Sequence, residues 1–141
     1  MEYLTLNNGV SMPLIGFGTF MLGGEACKNA VAAAIQSGYR MIDTAEAYGN
    51  EKAVGEGIRQ SGMDRRELFL VTKVNFKSYE NAEQSVMRSL QDLQTDYLDL
   101  LLSIGPLPTT MRRGGHWKSC MPAEASGPSA SPTSGRTGCW I

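Results

Sequence analysis

Apolar positions follow two alternating periods along residues 1–102, and both periods stop after Leu102. Leu4, Leu6, Val10 and Met12 flank Asn7-Asn8-Gly9, which predicts a hairpin with a three-residue loop, Gly9 in the left-handed position and the four apolar residues on one face. Leu14 to Phe20 (LIGFGTF) reads as a short strand running into a loop, where Gly16 and Gly18 allow close approach to the backbone. From Gly24 to Gln36 the period lengthens. Cys27, Ala30, Val31, Ala34 and Ile35 recur at helical spacing, and Gly38 lies where a helix C-terminus favours positive φ.

Tyr39 to Asp43 is expected as a strand, and Glu51 to Gln60 as a second helix with Val54 and Ile58 on one face and Gly62 beyond its end. Leu68 to Val74 is a strand apolar almost throughout. Ser78 is placed to cap a third helix whose buried stripe is Ala82, Val86, Leu90 and Leu93, and Tyr97 to Leu102 forms a fourth strand. Strand and helix alternating at this spacing describe βαβ units, and strands apolar on both faces describe a parallel sheet covered by helices.

Composition divides the 141 residues at the same place. Residues 1–102 carry 9 positive and 13 negative charges, whereas 103–141 carry 4 and 1. The second part also holds five of the six prolines and has no Val, Phe or Tyr, and Gly, Pro, Ser and Thr fill 21 of its 39 positions, a composition that rarely folds alone. The reading is therefore an α/β unit over 1–102 and an irregular tail over 103–141. Cys27, Cys120 and Cys139 show no metal-ligand or CxxC spacing, so a reduced, cytoplasmic chain without a metal is expected. No segment has the length and apolar content of a membrane span, and the scattered basic residues near Trp117 and Trp140 lack the periodicity of a nucleic-acid surface.

In a parallel α/β sheet, functional groups collect at the C-terminal ends of strands. Asp43, Tyr48 and Lys73 occupy such places. Singly, each has a plain structural role open to it: a turn cap, a half-buried loop aromatic and a solvated strand end. Together they make chemistry, because an ammonium beside a phenol stabilises the phenolate and a carboxylate fixes the ammonium, so that the phenol serves as a general acid.

IDTAEAYGNE, Ile42 to Glu51, resembles the aldo-keto reductase signature, and the resemblance extends to MPLIGFGTF before it, LFLVTKV after it and DYLDLLL at the end of residues 1–102. It implies the N-terminal half of a TIM-type (β/α)₈ barrel closed at its base by the hairpin, with NADPH extended across the open end and a small aldehyde or ketone substrate. By position, Tyr48 would be the proton donor, Lys73 the ammonium that assists it and Asp43 the partner of Lys73. Gly18, Thr19 and Phe20, with Asp43, would lie along the cofactor. The family's fourth catalytic group is a His in a pattern like DLLLIHWP, where this chain reads DLLLSIGP.

The tail answers to the same pattern in another reading frame. Ser-Ile-Gly-Pro after Leu102 permits the hidden codons ATC CAT TGG CCC, which encode I-H-W-P. Ser129-Ala130-Ser131-Pro132-Thr133-Ser134 after Pro128 permits I-G-V-S-N-F, another aldo-keto reductase segment, and Met111 to Lys118 allow Y-A-A-W-R-A-L-E. The expectation is a half-barrel followed by an out-of-frame continuation. Lone His116 does not substitute for the family's His, and the chain as translated should be inactive and bind NADPH weakly. A non-catalytic fragment that associates with itself or with a full-length barrel through open sheet edges is the alternative.

Overall fold

The computed structural model describes residues 1–74, 79–104 and 139–140. β1 (Tyr3–Thr5) and β2 (Ser11–Pro13) form the expected antiparallel hairpin, with Leu4 opposite Met12 and Leu6 N–H donating to Val10 O at 2.8 Å. Gly9 closes the three-residue turn at φ 83°, a conformation that costs glycine nothing sterically.

Five parallel strands then lie in the order β3 (Phe17–Gly18), β4 (Met41–Asp43), β5 (Phe69–Val74), β6 (Leu100–Ser103) and β7 (Cys139–Trp140). The first three connections are helical: α1 (Gly24–Gln36), α2 (Glu51–Ser61) and α3 (Tyr79–Leu93). The expected strands start one to three residues later than the apolar pattern suggests, and in β4 and β6 the first residues make other bonds. Tyr39 N–H closes the end of α1 on Ala34 O at 3.0 Å. Tyr97 to Asp99 turn toward Arg65, whose guanidinium donates to Tyr97 O at 3.0 Å, pairs with Asp99 at 2.8 Å and lies 4.1 Å from the Tyr97 ring centroid.

The two-residue period sorts each strand between two cores. Ile42, Leu70, Val74 and Leu101 face the helices and pack with Cys27, Val31, Ile35, Val54, Ile58, Val86 and Leu93. Each such side chain contributes about 1.5–3 kcal/mol when fully buried. Phe69, Val71 and Leu100 point to the opposite face, where Leu6, Val10 and Met12 of the hairpin pack against them together with Met41 and Leu102. The hairpin thus closes the N-terminal end of that face, and its C-terminal end is left to the polar residues of the same alternation, Asp43 and Lys73. The helices approach closely through glycine: a Cβ on Gly57 would lie 2.6 Å from Lys28 O in α1, and one on Gly55 2.6 Å from Leu93 O in α3.

Regular pairing continues past Leu102. Ser103 ends β6 opposite Val74, Ile104 N–H donates to Val74 O at 2.8 Å, and Cys139–Trp140 lie beside Leu100 and Leu101. The expected cap at Ser78, the buried face of Ala82, His116 and the irregular structure expected of 105–138 fall outside the described residues. Among the described residues no helix is long and apolar enough to cross a membrane.

Candidate active site

Asp43 ends β4, and Lys73 is the penultimate residue of β5. Asp43 pairs with Val71, so Lys73 stands one pleat further along on the same face, diagonal to the carboxylate. That offset suits a long side chain reaching back. Lys73 Nζ donates to Asp43 Oδ1 at 2.5 Å and to Thr44 O at 3.1 Å. Tyr48 belongs to a single 3₁₀ turn, Glu46–Tyr48, closed by Tyr48 N–H on Ala45 O and by Gly49 at φ 63°. Its ring centroid lies 5.4 Å from Lys73 Nζ, within the range of cation–π attraction, and 5.0 Å from the Phe20 ring. The three residues singled out in the sequence therefore meet at one end of the sheet. Nζ is a donor between two oxygen acceptors, with an aromatic hydroxyl-bearing ring alongside.

The three positions after β3 begins divide in behaviour. Gly18 is paired with Asp43, and a Cβ built on it meets nothing within 4 Å, so the space above the strand end is open to a flat ligand lying against backbone. Thr19 is fully buried; its hydroxyl and its N–H both donate to Asp43 O, at 3.1 and 3.0 Å. Its hydroxyl is thus engaged within the fold. Phe20 is two-thirds exposed and forms a wall beside Tyr48.

Two consecutive residues absent from the sequence expectations, Asn50 and Glu51, hold the site from behind. Asn50 Oδ1 accepts from Thr44 Oγ1 at 2.9 Å, and its amide donates to Thr19 O and Leu22 O, both at 2.8 Å. Glu51 accepts from Thr72 Oγ1 at 2.6 Å and from Ser89 Oγ at 3.0 Å, joining α2 to β5 and α3. Burial raises the Glu51 carboxyl above its ordinary value; the two hydroxyl donors oppose that shift, and the negative charges of Asp92 and Glu46 add to it. The sequence holds a signal for Glu51, which precedes Val54, Gly55 and Ile58 at the spacing of α2's buried stripe. A carboxylate on an apolar stripe needs partners.

The description "Aldo/keto reductase family" matches residues 14–113. Morphine 6-dehydrogenase of Pseudomonas putida is 46% identical over 119 residues, covering 82% of this chain and 40% of that protein. NAD(P)H-dependent D-xylose reductase of Pachysolen tannophilus is 44% identical over 113 residues, covering 76% and 35%. Among solved structures, an aldo/keto reductase from Brucella melitensis superimposes with a TM-score of 0.71 at 39% identity, over 76% of this chain and 42% of that one. MGS-M4, an aldo-keto reductase from a Medee basin deep-sea metagenome library, gives 0.70 at 42% identity, over 74% and 39%. The chain spans about two fifths of the length of these relatives, and its parallel sheet with covering helices is part of their (β/α) barrel.

Proposed function

The chain belongs to the aldo/keto reductase family, and from that premise we propose that residues 1–102 carry the acid–base end of an NADPH-dependent reductase of aldehyde or ketone carbonyls. The observation that carries this reading is Lys73 held by Asp43 and Thr44 O beside the Tyr48 ring. NADPH, when bound, supplies the reducing equivalent to the carbonyl carbon. Tyr48 donates its phenolic proton to the carbonyl oxygen as negative charge develops there, completing the alcohol. The Lys73 ammonium stabilises the phenolate left behind, and Asp43 keeps that ammonium in place. Open space over Gly18 suits the cofactor, and the exposed Phe20 ring beside Tyr48 offers an apolar wall for a substrate.

The test is turnover in a chain whose reading frame is restored by one base near codon 102. There Tyr48→Phe should lower kcat by about 10²-fold or more while NADPH binding changes little, because the hydroxyl acts on the developing alkoxide. Turnover surviving in Tyr48→Phe would sink the assignment.

For the 141-residue polypeptide itself the reading is an out-of-frame continuation after Leu102, with little NADPH-dependent turnover. Ser103, the first residue of the altered frame, supports it. Ser103 takes the helix-facing side of β6 with Leu101, and among the described residues its Oγ is buried without a hydrogen-bond partner. The shifted frame permits isoleucine there, which suits that face. Self-association through the edge of β3 is the second reading, favoured by the sheet order that leaves β3 outermost among the described strands. Size-exclusion chromatography separates them: a discrete dimer supports association, a monomer or void-volume material opposes it.

A further inference from the structure

We propose that Asn50 is a positioning residue for Lys73, acting through Thr44, and that it is kept from its ordinary local role to do so. The inference rests on the acid–base role proposed above for Lys73, but the geometry it invokes is independent of turnover.

An Asn immediately before a helix ordinarily caps it, its side-chain oxygen accepting an N–H of the first turn. Asn50 occupies that place before α2, yet its side chain makes no capping bond. Its amide bonds elsewhere: Oδ1 accepts from the Thr44 hydroxyl, and the amide nitrogen donates to the carbonyls of Thr19 and Leu22. The residue is 3% exposed, and Thr44 and Thr19 are fully buried, so these bonds lie where an unmet polar group is costly.

The network ends on the acceptors of Lys73. Thr44 N–H donates to Val71 O at 2.9 Å, its hydroxyl is held by Asn50, and its carbonyl receives Lys73 Nζ. Thr19, held at its carbonyl by Asn50, donates twice to Asp43 O, the main-chain oxygen of the residue whose carboxylate is the other partner of Nζ. One buried amide thus fixes the main chain on both sides of the Asp43–Thr44 peptide. The same amide fixes the loop that bears Phe20.

The test is trace acetylation of the intact 141-residue protein with acetic anhydride, with each lysine followed by mass spectrometry. Lys52 on the exposed side of α2 and Lys28, paired with Glu25 at 2.7 Å, serve as internal references. Thr44→Val removes the hydroxyl that links Asn50 to the Lys73 acceptor; Thr44→Ser retains it. Asn50→Ala and Thr44→Val should accelerate labelling of Lys73 about five-fold relative to Lys52, the factor that one hydrogen bond supplies, and Thr44→Ser should stay near the parent rate. A merely structural role would accelerate all lysines together. That outcome, or an unchanged Lys73 rate in both folded variants, overturns the proposal; if Asn50→Ala does not fold, the Val and Ser pair at Thr44 decides alone. Loss of the Lys73 effect leaves the Tyr48→Phe kinetics untouched, so the two readings fail separately.

Discussion

Replacing Ser103 with alanine is expected to stabilise the folded chain. Ser103 Oγ is buried on the helix-facing side of β6 without a partner among the described residues, opposite Val74 in the ladder with β5. A hydroxyl in that position loses its water hydrogen bonds and gains none, at a cost of about 1–3 kcal/mol. Alanine removes the oxygen and leaves a space smaller than a methyl group, so most of that cost should be recovered, a net gain of about 1 kcal/mol. For a domain of this size such a gain raises Tm by about 4–8 °C. Thr72→Val is the control, because Thr72 also faces the helices but its hydroxyl donates to Glu51 at 2.6 Å. Removing that partnered hydroxyl should destabilise by about 1–3 kcal/mol. Urea and thermal unfolding followed by far-UV circular dichroism measure both. A Ser103→Ala protein that melts lower than its parent would refute the reasoning, since the hydroxyl would then have a stabilising partner.

Arg65→Met should cost about 3–5 kcal/mol in urea unfolding, because it leaves Asp99 buried at 4% exposure without the guanidinium 2.8 Å away. Gly57→Ala should destabilise by about 1–3 kcal/mol despite alanine's better helix propensity, because its Cβ would meet the Lys28 carbonyl at 2.6 Å; an unchanged urea midpoint would show that α1 yields freely. Gln94→Gly, at φ 54° just beyond α3, should raise the urea midpoint by the equivalent of about 1 kcal/mol. Glu51→Gln should alter pH dependence: a carboxyl raised in the folded chain contributes most to stability below its unfolded value of 4.5 and loses that contribution as pH rises through its folded value. The stability of the Gln variant relative to the parent should therefore increase with pH from about 4.5 up to the folded value and level off beyond it, and a constant difference across the range would count against a raised Glu51.

The elements most legible in the sequence are those whose bonds are local. The hairpin follows from Gly9 between two apolar pairs, and α1 keeps the expected bounds because its stripe and the positive φ of Gly38 agree. Asp43 and Lys73 are legible as site residues because strand ends in a parallel sheet share one rim, and the family signature adds Tyr48 to them. The illegible parts depend on distant partners. Tyr97 to Asp99 have the apolar character of a strand, and partners distant in sequence, Arg65 among them and more than thirty residues earlier, draw them aside. Asn50 looks like a helix cap, and nothing nearby in sequence tells that Thr19 and Leu22, about thirty residues before it, take its amide instead. Thr19 is the converse case. Its place in MPLIGFGTF points by resemblance to the cofactor, and the sequence does not tell that its hydroxyl donates to Asp43 O.

Every tie that fixes the candidate site joins neighbouring strands or the loops that leave them. Lys73 reaches from β5 to Asp43 on β4, Thr19 from the end of β3 to Asp43 O, and Asn50 from the start of α2 back to both loops. Among the described residues none of these ties passes through a residue beyond Lys73, apart from the Ser89 bond that seats Glu51. The acid–base geometry can therefore assemble from three adjacent strands and the first two helices, and it needs little of the sheet that follows. Turnover has a different requirement, since cofactor and carbonyl must be held at a near-attack distance of about 3–3.5 Å. The two properties are separable, so that lysine labelling should report an ordered Lys73 whether or not the polypeptide reduces a carbonyl. A labelling rate for Lys73 equal to that of Lys52 would mean that the first three strands do not hold the site unaided.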